Sequence, residues 1–235
     1  MSTTVEPVDF NPPYFHPAYR TTLLRAPQRE LVRVPRRWFH DVRGPSFGRF
    51  EVRPGDNDLT RQHAAAPLGQ RLRLAGRVLD SDGRPVPHTL VEIWQANAAG
   101  RYVDDSDPGY MPIDPNFTGA GRCLTDSEGR YHFITIRPAA YTGRSPLFRP
   151  AHIHVSLFGP SLGSRLITQC YFEDDPLLER DPIFQAVPDA RARERLLARF
   201  NAEATPSGPG SPDSRLAYDW DIVLRGRNAT PLDDD

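Results

Sequence analysis

Polar and apolar residues alternate over much of this chain beyond residue 70. Arg71-Leu72-Arg73-Leu74-Ala75-Gly76-Arg77-Val78-Leu79 has the period of a half-buried strand. Asp80-Ser81-Asp82-Gly83-Arg84-Pro85 supplies turn chemistry, with Gly83 available for positive φ, and residues 89–94 resume the alternation. A second turn, Asp126-Ser127-Glu128-Gly129, precedes a strand over residues 131–136, and further strands are predicted over 151–158, 166–172 and 218–224. One helix is predicted, with Pro188-Asp189 capping residues 190–200; there Leu196, Leu197 and Phe200 oppose Arg191, Arg193, Glu194 and Arg199. Short strands with turns between them and one short C-terminal helix indicate an all-β fold, a β-sandwich.

The first seventy residues carry Pro12-Pro13, Pro27, Pro35, Gly44-Pro45 and Pro54-Gly55 and read as a long irregular arm. Such an arm, residues 1–70, needs a surface, either its own sandwich (residues 71–235) or a partner subunit. The 25 prolines and 17 glycines fit a turn-rich β fold. Residues 202–214 read as a loop and Asp233-Asp234-Asp235 as an acidic tail.

Charge narrows the range of partners. With 29 basic and 30 acidic residues, the net charge of -1 argues against nucleic acid or an anionic membrane. Residues 1–10 include Glu6 and Asp9 and lack the apolar core of a secretory signal, so a cytoplasmic location is expected. No apolar run approaches the roughly 20 residues that span a bilayer. Cys123 and Cys170 are too few for a disulfide framework and read as small buried hydrophobes.

The string Arg149-Pro150-Ala151-His152-Ile153-His154 carries the chemistry. In a strand, His152 and His154 share a face while Ile153 points the other way, the geometry of a paired metal ligand; the bland alternative is hydrogen-bonded surface or core histidines. Arg149 beside them offers a cation that steadies developing negative charge. Neither Cys-x-x-Cys nor His-Glu-x-x-His is present, so further ligands come from carboxylates or tyrosines. Neutral imidazoles with anionic hard oxygens favour a hard, highly charged ion, and ferric iron suits two tyrosinates. Spacing alone does not select them among Tyr14, Tyr19, Tyr102, Tyr110, Tyr131, Tyr141, Tyr171 and Tyr218.

Larger blocks go further. Gly76-Arg77-Val78-Leu79-Asp80 with Gly83 and Pro85, Val91-Glu92-Ile93-Trp94-Gln95-Ala96-Asn97, Asp114-Pro115-Asn116-Phe117, Gly121-Arg122-Cys123-Leu124-Thr125-Asp126, the Arg149 string and Asp221-Ile222-Val223-Leu224-Arg225-Gly226 follow one another in a familiar order. In them the chain resembles the intradiol ring-cleavage dioxygenases, above all their protocatechuate-cleaving β subunits. The resemblance implies a non-haem Fe(III) held by Tyr110 (axial), Tyr141, His152, His154 and a hydroxide. Arg149 and Gln169 would stabilise charge on the activated ring. Ile183 would form an apolar pocket wall, and Tyr19 would meet the substrate's carboxylate. The implied reaction is O2-dependent cleavage of protocatechuate to 3-carboxy-cis,cis-muconate, with a homologous α subunit as partner.

The link from Tyr110 to Asp114 is about one residue tighter than the family's and the loop from Tyr141 to Arg149 about two shorter. Gly143 stands where a pocket tryptophan is expected, which keeps another substituted catechol, such as a sulfonated one, as the alternative substrate. Two further rivals are a non-catalytic transthyretin-like sandwich, suggested by residues 76–91, and a single-chain catechol or hydroxyquinol dioxygenase. A helical N-terminal dimerisation segment, expected of the latter, is not evident.

Overall fold

The structure, a computed structural model, describes residues 52–104, 110–142, 148–158, 165–206 and 215–232. Its strands are β1 (Arg71–Leu79), β2 (Leu90–Trp94), β3 (Ala120–Leu124), β4 (Arg130–Ile136), β5 (Tyr141–Thr142), β6 (Phe148–Arg149), β7 (His152–Phe158), β8 (Arg165–Phe172), β9 (Leu197–Phe200), β10 (Leu216–Asp219) and β11 (Ile222–Val223). A 3-10 turn at Leu178–Arg180 leads into α1 (Pro182–Ala186), and α2 (Ala190–Glu194) follows.

Two layers form from the alternation. In one, β4 pairs with one edge of β1 while β10 and β11 share the other edge. In the second, β3, β2, β7 and β8 run antiparallel in that order. Strand β9 joins the layers, parallel to β8 through Tyr171↔Leu197 and antiparallel to β10 through Tyr218↔Phe200. Leu72, Leu74, Val78 and Phe133 from the first layer meet Val91, Ile93, Ile153, Val155, Leu157 and Cys170 from the second in one core. Each such large side chain stabilises the fold by about 1.5–3 kcal/mol on burial. That fixes register: a one-residue slip of β7 would expose Ile153, Val155 and Leu157 and send both histidines inward.

The turns form where the sequence places them, Gly83 adopting φ +76°. Residues 52–70, the described part of the arm, lie on the sandwich: Leu59 is fully buried and its amide donates to the Ile134 carbonyl at 2.8 Å.

Two sequence expectations are corrected. Only residues 190–194 of the predicted helix are helical, with the Asp189 carboxylate accepting from the Arg191 amide as a cap. Leu197–Phe200 is a strand instead, because β8 and β10 offer backbone edges on either side and the pairing satisfies both. The Trp220 indole N–H marks the switch by donating to the Arg195 carbonyl at 2.8 Å. The strand expected over residues 218–224 is two short strands, β10 and β11, with Trp220 donating its amide to Ala75 between them. The α-helical content is thus two five-residue helices among the described residues, not one longer one.

Candidate metal centre

With Ile153, Val155 and Leu157 committed to the core, His152 and His154 face outward from the β2-β7-β8 layer. Register then decides their neighbours. Trp94 and Gln169 flank His154 on either side, and Tyr171 lies opposite His152. Trp94 stacks flat on His154, centroids 5.0 Å apart and planes within 5°. The His152 and His154 rings stand edge to face at 5.0 Å.

Chain segments from outside the layer complete the cluster. The β5-β6 ribbon pairs Tyr141 directly with Arg149. The Tyr141 hydroxyl lies 3.2 Å from His152 Nε2. The loop after β2 brings Tyr102, whose hydroxyl is 3.3 Å from that of Tyr141 and whose ring is 6.2 Å from His154. Asn97 shapes this loop, its Oδ1 accepting from the Ala99 and Arg101 amides and its Nδ2 donating to the Pro112 carbonyl. Gly100 lets the loop close on the ribbon: at φ +80°, a Cβ there would meet the Ala140 oxygen and the Tyr141 Cβ at 2.9 Å each.

Beneath the ribbon lies a buried polar network. Asp181, fully buried, accepts from Arg149 Nε at 3.2 Å and Nη2 at 3.0 Å. The same Nη2 donates to Gln169 Oε1 at 2.6 Å and to the Tyr171 hydroxyl at 3.0 Å, and Tyr171 donates to Gln169 at 2.9 Å. Arg149 Nη1 points the other way, 3.1 Å from His152 Nε2. Burial opposes the guanidinium charge, but the hydrogen bonds that Arg149 donates to Asp181, together with the neighbouring Tyr171, Asp181 and Tyr141 groups, outweigh it and hold the Arg149 pKa above its ordinary value.

His152 is a neutral imidazole. Burial, then the Arg149 charge, push its pKa well below the ordinary histidine value. Its Nδ1 sits 2.8 Å from the Pro150 carbonyl, which only accepts, so the ring proton belongs there and Nε2 presents a lone pair. Among the described residues no group of three or more His, Cys, Asp or Glu converges. The Tyr141 hydroxyl reaches His152 and that of Tyr102 reaches Tyr141, and two imidazoles with two phenols are a donor set that fits a ferric ion.

Of the residues singled out in the sequence, Tyr141, His152, His154, Arg149 and Gln169 come together, and Ile183 lines a small cavity with Gln169 and Tyr171. Tyr110 does not join them; it is fully exposed, and Tyr102 occupies the place expected for it. The tight spacing from Tyr110 to Asp114 was the sequence signal against Tyr110, and a glycine turn two residues upstream was the signal for Tyr102. Asp181 and Tyr171 were also missed. Tyr19 and Gly143 lie outside the described residues.

Comparison with known proteins agrees. The profile described as "Dioxygenase" matches residues 42–226, and that described as "Protocatechuate 3,4-dioxygenase beta subunit N terminal" matches residues 11–37. The protocatechuate 3,4-dioxygenase beta chain of Burkholderia cepacia is 51% identical over 237 residues, covering 98% of each chain. The protocatechuate 3,4-dioxygenase alpha chain of Pseudomonas putida is 27% identical over 164 residues, 69% of this chain and 75% of its own. The crystal structure of 3-chlorocatechol 1,2-dioxygenase from Rhodococcus opacus superimposes with a TM-score of 0.53 at 25% identity, over 74% of this chain and 66% of that one. On the strength of its fold, its profile matches and its half-identical relative, the chain belongs to the intradiol ring-cleavage dioxygenases, among their protocatechuate 3,4-dioxygenase beta chains.

Proposed function

We propose that this intradiol dioxygenase cleaves protocatechuate to 3-carboxy-cis,cis-muconate with O2, using a non-haem Fe(III) held by Tyr102, Tyr141, His152 and His154. The observation that carries the reading is the convergence of two phenol hydroxyls 3.3 Å apart on paired imidazoles whose centroids are 5.0 Å apart. Ferric iron, when bound there, would supply the Lewis acidity that makes a catechol ring reactive toward O2. Two phenolates and a hydroxide balance three positive charges, so the site needs no further counter-ion.

The chain's own groups have distinct tasks. Tyr141, in contact with His152, stays in place, while Tyr102, in the axial ligand position first read onto Tyr110, takes up a proton from the incoming diol. Arg149 offers its Nη1 edge to charge developing on the ring, and Gln169 adds a neutral amide beside it. Ile183 supplies an apolar wall.

A homologous alpha chain is the proposed partner, supported by the beta-chain likeness and by the alpha chain's own similarity to this sequence. A cytoplasmic location is supported by two free thiols. No helix among the described residues is long and apolar enough to cross a membrane.

The test is the protein co-purified with its alpha chain. A red-brown tyrosinate-to-iron absorption, shifted by protocatechuate without oxygen, and muconate formation with oxygen are expected. An iron-replete but colourless sample overturns the proposal. Faster turnover of a sulfonated than of a carboxylated catechol overturns the protocatechuate assignment alone.

A further inference from the structure

We propose that Asp181 is a positioning residue for ring cleavage: its buried carboxylate clamps the Arg149 guanidinium so that the Nη1 edge alone is turned toward the metal centre. The inference rests on the reading of Arg149 as the cation that meets developing charge.

Asp181 stands at the N-cap of α1, a position where an aspartate side chain ordinarily accepts from the first helical amides. Here it makes no such bond. The Asp181 backbone carbonyl still accepts from Gln185 at 2.9 Å, but the carboxylate turns away to take the Nε and Nη2 edge of Arg149. The pair is closed to solvent, with the two side chains 9% and 0% exposed. A guanidinium is planar and rigid, so fixing one edge aims the other. The edge left over is Nη1, 3.1 Å from His152 Nε2.

The pairing does two things at once. It balances a buried cation that would otherwise carry a large desolvation cost, so the centre meets an oriented donor beside a compensated charge. It also fastens the turn that begins α1, and with it Ile183 two residues on, to the ribbon that carries Tyr141. The activating cation and the pocket wall are thereby held by one ion pair.

Asp181→Asn in the iron-loaded enzyme, with its alpha chain, tests this. The amide keeps the shape and removes the charge. A fall in kcat of about 30-fold is expected, with KM within about 3-fold, because the cation loses its aim toward charge that develops only in the transition state. Iron content and the resting visible absorption stay as in the wild type. Asp181→Glu, which restores the charge, recovers part of the lost kcat. Wild-type kcat in Asp181→Asn overturns the proposal. So does loss of iron and colour together with activity in both variants, which makes Asp181 a support of the fold alone, and so does Asp181→Glu no faster than Asp181→Asn. If the wild type measured alongside lacks colour and turnover, it is the dioxygenase reading that fails.

Discussion

Trp94 lies flat against His154, 5.0 Å between centroids and 5° between planes, because β2 and β7 pair these two residues directly. The indole covers one face of the imidazole and restricts its rotation. Trp94→Ala is expected to lower iron retained after dialysis and to cost about 2–4 kcal/mol of stability in a denaturant titration, and Trp94→Phe markedly less.

The tyrosine assignment is open to direct comparison. Tyr102→Phe is expected to shift the visible absorption and reduce kcat by at least about 10-fold, while Tyr110→Phe, altering an exposed side chain, leaves both near wild type. Equal spectra for Tyr102→Phe and the wild type would exclude Tyr102 from the iron.

Gly100 holds the loop of Tyr102 against the ribbon of Tyr141 at φ +80°, with no room for a Cβ. Gly100→Ala is expected to destabilise the protein by about 1–3 kcal/mol and to weaken the colour, as the two hydroxyls separate. Urea unfolding and absorbance of the same samples measure both.

The pH dependence of iron-free protein follows from His152. Its folded pKa lies below that of the unfolded chain, so below about pH 6.5 the unfolded state takes up a proton that the folded state refuses. Stability is therefore full above that pH and declines as pH falls, by up to about 1.4 kcal/mol per unit from this group, until the folded pKa is reached. Equilibrium unfolding from pH 8 to pH 5 measures the slope, and replacing His152 with Gln should flatten it.

Both cysteines are expected to be inert in the native protein. Burial pushes the Cys123 thiol up to about 12 and that of Cys170 higher still. A disulfide reagent at pH 8 should label neither thiol within minutes, and should label both once denaturant is added. Rapid native labelling of Cys170 would contradict the packing of β8 on the core.

How much was legible in the sequence depended on range. Strand β1 was read to its last residue, since alternation and a glycine turn are local properties of the chain. The shared face of His152 and His154 follows from the strand period and needed no fold. Residues 197–200 misled because their helical stripe is also compatible with a strand, and only the open edges of β8 and β10 settled the matter. Tyr102 was passed over for Tyr110 because a loop's return path depends on what it packs against, here the ribbon at Ala140 and Tyr141. Asp181, 32 residues from Arg149, had no local mark beyond a helix cap that it declines to make. The sequence by itself determined the β architecture, the histidine pair and the kinship. Only tertiary structure decided which phenol joins the histidines and which carboxylate holds the arginine, because such long-range contacts arise when separate segments pack over one sheet face and leave no period in the chain.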